Sequence, residues 1–284
     1  IQRGFLVRDE TPSFYLYTLL QGEHKQTGLM AGTSCREYID GAIRRHEHTR
    51  RVKEDDRARH IATINANSGP VLLTYPADRE IDALVHKCTE TVPVADFQDE
   101  AGIHYIVHRV SDTVLVEEFV RLFARIPVLF VADGHHRSAA AVRVCEERRL
   151  ADPAHTGKEA YNFFMSLIFP DNQLRILPYN RVVQDLGGRD AAAFLREVER
   201  GFRVSENAAP EPPHRGECSM YLAGRWYGLV PRAPLSGEPL KDLDVSLLQD
   251  RLLDPVLGIK DPKGDERIDF VGGSRGTAEL VKLV

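Results

Sequence analysis

The chain has 284 residues, 43% of them hydrophobic and 28% charged, with a formal net charge of -5 at pH 7. That content supports one large or two ordinary packed domains, and the acidic balance argues against a general nucleic-acid binder. The four scattered cysteines, Cys35, Cys88, Cys145 and Cys218, form no CxxC pair, which points to reduced thiols in a cytoplasmic protein. No apolar run approaches the ~20 residues that span a bilayer.

Phe14 to Leu20 alternates as a strand, Gly22-Glu23 turns, and Gln26 to Gly32 returns, which predicts a hairpin. A densely charged stretch from Arg44 to Arg57 runs into a helix over Ala58 to Ile64. Val71 to Tyr75 predicts a short buried strand, and Ile81 to Lys87 a short helix. The stretch from Gly102 to Val110 alternates, with Ile103, Tyr105 and Val107 on one face and His104, Ile106 and His108 on the other. Val114 to Ala124 has helical spacing. Val128 to Val131 is an apolar strand, Asp133-Gly134 breaks it, and helical propensity is strong from Ser138 onward.

Beyond a loop at 151–157, Tyr161 to Phe169 predicts a core strand with a returning strand over Leu174 to Val183. Ala191 to Gly201 predicts an amphipathic helix. Ser219 to Leu222 and Arg225 to Val230 predict a hairpin. Val245 to Leu257 predicts a helix with Asp244 as a candidate cap, and Ile268 to Val271 a late strand. The start at Ile1 without Met, and the stop within a helical pattern at 278–284, read as a fragment. Strands and helices mix without regular βαβ alternation, which favours an α+β fold.

Two stretches carry the chemistry. In the first, Asp133-Gly-His-His-Arg137 stands where a strand ends and a helix begins. Free N–H groups at a helix start, beside a fixed cation, suit an anion such as phosphate. Asp133 is a candidate cap, metal ligand or proton acceptor. In the second, Glu47 lies between His46 and His48, next to Thr49-Arg50, in a cluster that can set a base beside cations. Lys53 and Arg57 stand four apart and share a helix face, able to grip one anion. The alternative for that stretch is a solvated charged helix. Zinc does not suit either stretch: His46-Glu-His48 lacks the H-E-x-x-H spacing, and His135 and His136 are adjacent and point apart. Magnesium held by phosphates and by Asp133 or Glu47 suits the oxygen donors better. No cysteine has a neighbouring base, and Ser138 lacks the G-x-S-x-G context of a hydrolase nucleophile.

Arg45-His-Glu-His-Thr-Arg50 with Lys53-Glu54 and Arg57, then Val131-Ala-Asp-Gly-His-His-Arg137, then Arg175-Ile-Leu-Pro-Tyr-Asn-Arg181, resemble in order and spacing the motif series of the bacterial and archaeal domain of unknown function 1015 family. Asn180 stands where that series has His. The Asp-Gly-His-His-Arg box is also similar to that of the free serine kinases of archaea, in the ParB/sulfiredoxin-like superfamily. The resemblance implies a ParB/sulfiredoxin-like nucleotide-binding core over residues 1–150 and a smaller α+β accessory domain over 158–284. It implies phosphate contacts from Gly134, His135, His136 and Arg137; Ser138 beside them, and Arg50, Lys53 and Arg57 in the charged stretch, are taken as further cofactor-binding residues. It implies ADP or ATP as cofactor and a catalytic or magnesium role, with Mg2+, for Asp133; Glu47 is the candidate base, and His136 is taken as catalytic with them.

The expectation is nucleotide-dependent phosphoryl transfer to or from a small hydroxylated metabolite such as serine or phosphoserine. Neither a membrane nor a nucleic acid is expected as partner, and a homodimer is compatible. The alternatives are a nucleotide-gated DNA-binding or partition-type protein and a nucleotide-sensing module without turnover.

Overall fold

A computed structural model describes residues 9–47, 49 and 51–284. The chain divides into two compact units, Ile1–Arg175 and Ile176–Val284. Both mix helices with strands.

In the first unit the expected hairpin forms as β1 (Phe14–Gln21) and β2 (His24–Ser34), paired antiparallel. The Ser34 side chain accepts from the N–H groups of Arg36 and Glu37 and so starts α1 (Cys35–Asp40). There follow β3 (Ile43–Arg44), α2 (Arg51–Ile64), β4 (Val71–Tyr75), α3 (Arg79–Thr89), β5 (Ala95–Gln98) and β6 (His104–Val110). Then come α4 (Thr113–Phe123), β7 (Leu129–Asp133), α5 (His135–Ala151) and β8 (Phe163–Pro170). Asp78 and Asp112 cap α3 and α4 through their carboxylates, each such cap stabilising a helix by about 1 kcal/mol.

The eight strands form one mixed sheet in the order β3-β7-β4-β8-β2-β1-β6-β5. Leu16, Ile43, Leu73, Ile81, Phe119, Leu122, Val131 and Phe164 form its core with the helices, each at most 2% exposed. Full burial of each such side chain contributes roughly 1.5–3 kcal/mol against leaving it in water. Gly28 of β2 lets strand and ring meet, since a Cβ there would sit 2.8 Å from the Phe169 ring.

β8 lies between β4 and β2, so the first unit runs to Arg175 and not to the boundary expected between 150 and 158. A strand bonded on both edges belongs to the sheet that holds it. For the same reason the return expected over Leu174 to Val183 does not pair with β8. Its last part, β9 (Tyr179–Val183), pairs antiparallel with β13 (Ile268–Gly272) in the second unit.

That unit also contains α6 (Ala191–Gly201) and a three-stranded sheet ordered β10 (Phe202–Glu206), β12 (Arg225–Pro231), β11 (Cys218–Leu222). Its remaining helices are α7 (Asp244–Leu248), α8 (Asp254–Leu257) and α9 (Gly276–Leu283). Phe194, Val198, Phe202, Leu229, Leu252 and Ile259 make its core. The single helix expected over 245–257 is interrupted by a π turn at Gln249–Leu253. Asp244 is not its cap: Leu243 holds that position, and the Asp244 carboxylate accepts instead from the Gly216 N–H at 2.8 Å.

Candidate functional site

The end of β7 sets the site. Gly134 has φ 95° and occupies the cap position of α5, and no side chain closes the first turn. α5 begins at His135, a turn before the Ala-rich run, because the left-handed glycine fixes where the helix can start. Glycine is required twice over: for its backbone angle, and because a Cβ would lie 2.9 Å from Arg137 Nε. The Arg137 guanidinium turns back to donate to Asp133 Oδ2 at 2.7 Å. Its buried Nε–H has no acceptor among the described residues. The positive end of a 17-residue helix thus stands open beside a fixed cation.

β3 explains how Glu47 arrives there. It pairs parallel with β7, Ile43 opposite Leu129 and Arg44 opposite Phe130. Chain leaving β3 therefore emerges at the same end of the sheet as chain leaving β7. Glu47 Oε2 comes within 3.5 Å of His135 Nδ1. The His46 ring stands edge-on to the His135 ring, with centroids 4.4 Å apart. The His135 side chain is 4% exposed. Burial first, then neighbouring His46, holds its pKa below the usual histidine value, so it is neutral at pH 7.

β4 approaches from the other side, antiparallel to β7, with a bulge where Leu72 faces Asp133 and Leu73 faces Val131. Bulges re-aim chain next to sites. Here the segment before β4 passes Arg137, whose Nη1 lies 3.5 Å from where a Gly69 Cβ would be.

α2 supplies the remaining wall. It buries only Ala58, against Ala140 and Val144 of α5. Arg143 of α5 reinforces this with an ion pair to Asp55 of α2, and is itself held by Glu147 of its own helix at 3.1 Å. Glu54 accepts from the Thr49 hydroxyl at 2.9 Å. Lys53 and Arg57 share a face as their spacing requires, and neither forms an ion pair among the described residues.

These pieces enclose a cavity of about 870 Å³. Of the residues singled out from sequence, Glu47, Lys53, Arg57, Asp133, Gly134, His135, His136 and Arg137 all line it. Arg50 and His48 lie outside the described residues. Two roles change. Ser138 is 0% exposed, and its hydroxyl donates to the carbonyls of Gly134 and His135 at 3.2 and 3.0 Å, so it serves the helix and not a ligand. The His135 ring is buried against Glu47, which leaves its backbone N–H as the group available to an anion.

Asp56, His60, Asn67, Ser68 and Gly69 also line the cavity and were missed. Asp56 and His60 follow Lys53 at helical spacing, which is a readable signal. Asn67-Ser-Gly before Pro70 reads only as a turn. His104 and His108, on one face of β6, do not line the cavity: His104 pairs with Asp96 and His108 is buried.

The donor set fits an anion better than a metal ion. No group of three His, Cys, Asp or Glu side chains able to hold a metal occurs among the described residues. The Asp133 carboxylate, expected as a magnesium ligand, is engaged by Arg137. The third motif's Arg181 is packed within the second unit, over the rings of Tyr179 and Phe270 at 5.6 and 5.4 Å. No helix among the described residues is long and apolar enough to cross a membrane.

A family model described as "Protein of unknown function (DUF1015)" matches residues 1–246. No curated protein and no solved structure matches the chain.

Proposed function

The chain belongs to the family described as protein of unknown function DUF1015, and from its site we propose phosphoryl transfer between a nucleotide, ADP or ATP, and a small hydroxylated metabolite. The observation that carries this reading is one cavity holding both an uncapped helix start and the Glu47 carboxylate. Its volume of about 870 Å³ falls in the upper part of the range of roughly 300–1,000 Å³ for small-molecule sites, which suits a nucleotide with a small acceptor beside it.

Phosphoryl transfer asks little covalent chemistry of a protein. It asks for positioning, charge neutralisation and a base. The N–H groups of the first turn of α5 cradle phosphate oxygens. Arg137, held in place by Asp133, and Lys53 and Arg57 neutralise their charge. His136, on the same wall, adds a donor. Glu47 takes the proton from the acceptor hydroxyl as the new P–O bond forms and the bond to the nucleotide breaks. Likeness of the Asp-Gly-His-His-Arg box to archaeal free serine kinases favours serine or phosphoserine as the metabolite.

Thermal melting with ADP, ATP and phosphoserine, each with and without magnesium, tests binding, because a ligand held by the native state raises Tm. Phosphorus NMR of the same mixtures with serine tests turnover. A Tm increase with product formation supports the proposal. Binding without product makes this a sensing module, and no binding removes the nucleotide reading altogether.

A further inference from the structure

His135 was expected to contact phosphate, yet its ring is the most enclosed polar group on the cavity wall. We propose that His135 is a positioning residue: its neutral ring donates from Nδ1 to Glu47 and so fixes that carboxylate in the cavity without neutralising it. This rests on the reading of Glu47 as the base, but the proton position it requires can be measured without any reaction.

Two effects place the proton on Nδ1, and both act in the same direction. Nδ1 faces Glu47 Oε2 at 3.5 Å, and an ionised carboxylate can only accept. A lone pair on Nδ1 would face the lone pairs of that oxygen. Nε2 is buried with no partner among the described residues. A proton there would be a buried donor without an acceptor, which costs more than an unused lone pair.

The ring also resists a second proton. It is enclosed, with its side chain 4% exposed and the His46 ring edge-on to it at 4.4 Å, and burial disfavours a charged ring. On the cavity side the α2 face presents Lys53, Asp56, Arg57 and His60, cations as well as an acid. An imidazolium would bind Glu47 tightly and weaken it as a base. A neutral N–H holds it and leaves its charge available. The 3.5 Å separation exceeds an ordinary N–H···O bond of about 2.9 Å. Hydrogen bonds of this kind tighten when the ligand is present.

Long-range proton–nitrogen correlation spectra of protein labelled with 15N-histidine at pH 7 test this directly. The His135 signals are assigned by their loss in His135→Asn. The expected result is a neutral ring protonated at Nδ1; protonation at Nε2, or at both nitrogens, overturns the proposal.

Two variants then separate positioning from packing, each first checked for a native melting transition. Asn carries an amide N–H where Nδ1 stands, and Gln carries one nearer to Nε2. His135→Asn should keep most of the turnover. His135→Gln should lose it by about 10²-fold with the nucleotide KM unchanged. Equal losses in both variants, or losses seen in KM alone, overturn the proposal. If no turnover exists in the parent protein, the function proposed for the site fails while the tautomer still decides the placement of His135.

Discussion

The Arg137 guanidinium donates to the Asp133 carboxylate at 2.7 Å across the single glycine that opens α5. The arginine side chain folds back over Gly134, so the space above that residue belongs to it.

Gly134→Ala should therefore act in two ways. A left-handed backbone costs a residue with a Cβ roughly 1–2 kcal/mol. The new methyl group also displaces Arg137, since it would sit 2.9 Å from Nε and 3.0 Å from Nη2. The expected outcome is a lowered Tm together with a loss of nucleotide affinity larger than that stability change explains. Denaturant unfolding and calorimetric titration with ADP measure the two separately.

Glu47→Gln keeps the shape of the side chain and removes its basicity. Nucleotide affinity should hold within a few-fold, while kcat falls by about 10²-fold or more. Loss of affinity with kcat preserved would move Glu47 from base to binding residue.

Lys53 and Arg57 are exposed on α2 and make no ion pair among the described residues. Replacing both by Ala should leave stability within about 0.5 kcal/mol. Affinity for ADP should fall about tenfold or more, because charge-assisted bonds to phosphate are lost. The salt dependence of binding should flatten as well. Titrations at two ionic strengths are sufficient to see both effects.

Away from the site, Glu159 ties the loop after α5. The Thr156 hydroxyl, the Thr156 and Gly157 N–H groups and the Asn162 amide all donate to it. The Thr156 hydroxyl foremost, with the backbone donors, holds its pKa down to about 2. The folded value lies below the unfolded one of about 4.3, so the stabilisation is complete above that pH. It is lost as pH falls towards about 2. Glu159→Gln should be less stable than the parent at pH 7, and the gap should narrow steadily below pH ~4.3. A gap that stays constant from pH 7 to pH 3 would contradict this.

What the sequence disclosed, and what it withheld, follows from the range of each signal. Periodicity located β1, β2, β4, α4 and α6 because their side chains alternate or recur within a few residues. It could not locate β3, which is two residues long, or β5, whose Asp96, Phe97 and Gln98 are exposed and carry no pattern. Neither could it reveal that β3 lies parallel to β7, and that pairing is what brings Glu47 to His135. The site residues were legible as two dense stretches, because unusual chemistry concentrates locally. Their roles were less legible. Whether His135 or Ser138 faces a ligand depends on burial, which is a property of the folded neighbourhood. The start of α5 was set by one backbone angle at Gly134 and not by the propensity of the alanines that follow it. The first unit's boundary was hidden for a similar reason, since β8 reads as a strand but its partners lie far away in sequence.

The brevity of β3 has a further result. As a two-rung strand at the rim of an eight-stranded sheet, it is the part of that sheet held by the fewest bonds, and such margins open first in the native state. When they open, the segment bearing Glu47 drifts from the helix it serves. A bound polyanion fastened to both would act as a clasp on that seam, and the amide protons of Ile43 and Arg44 would exchange with solvent more slowly whenever the cavity is filled.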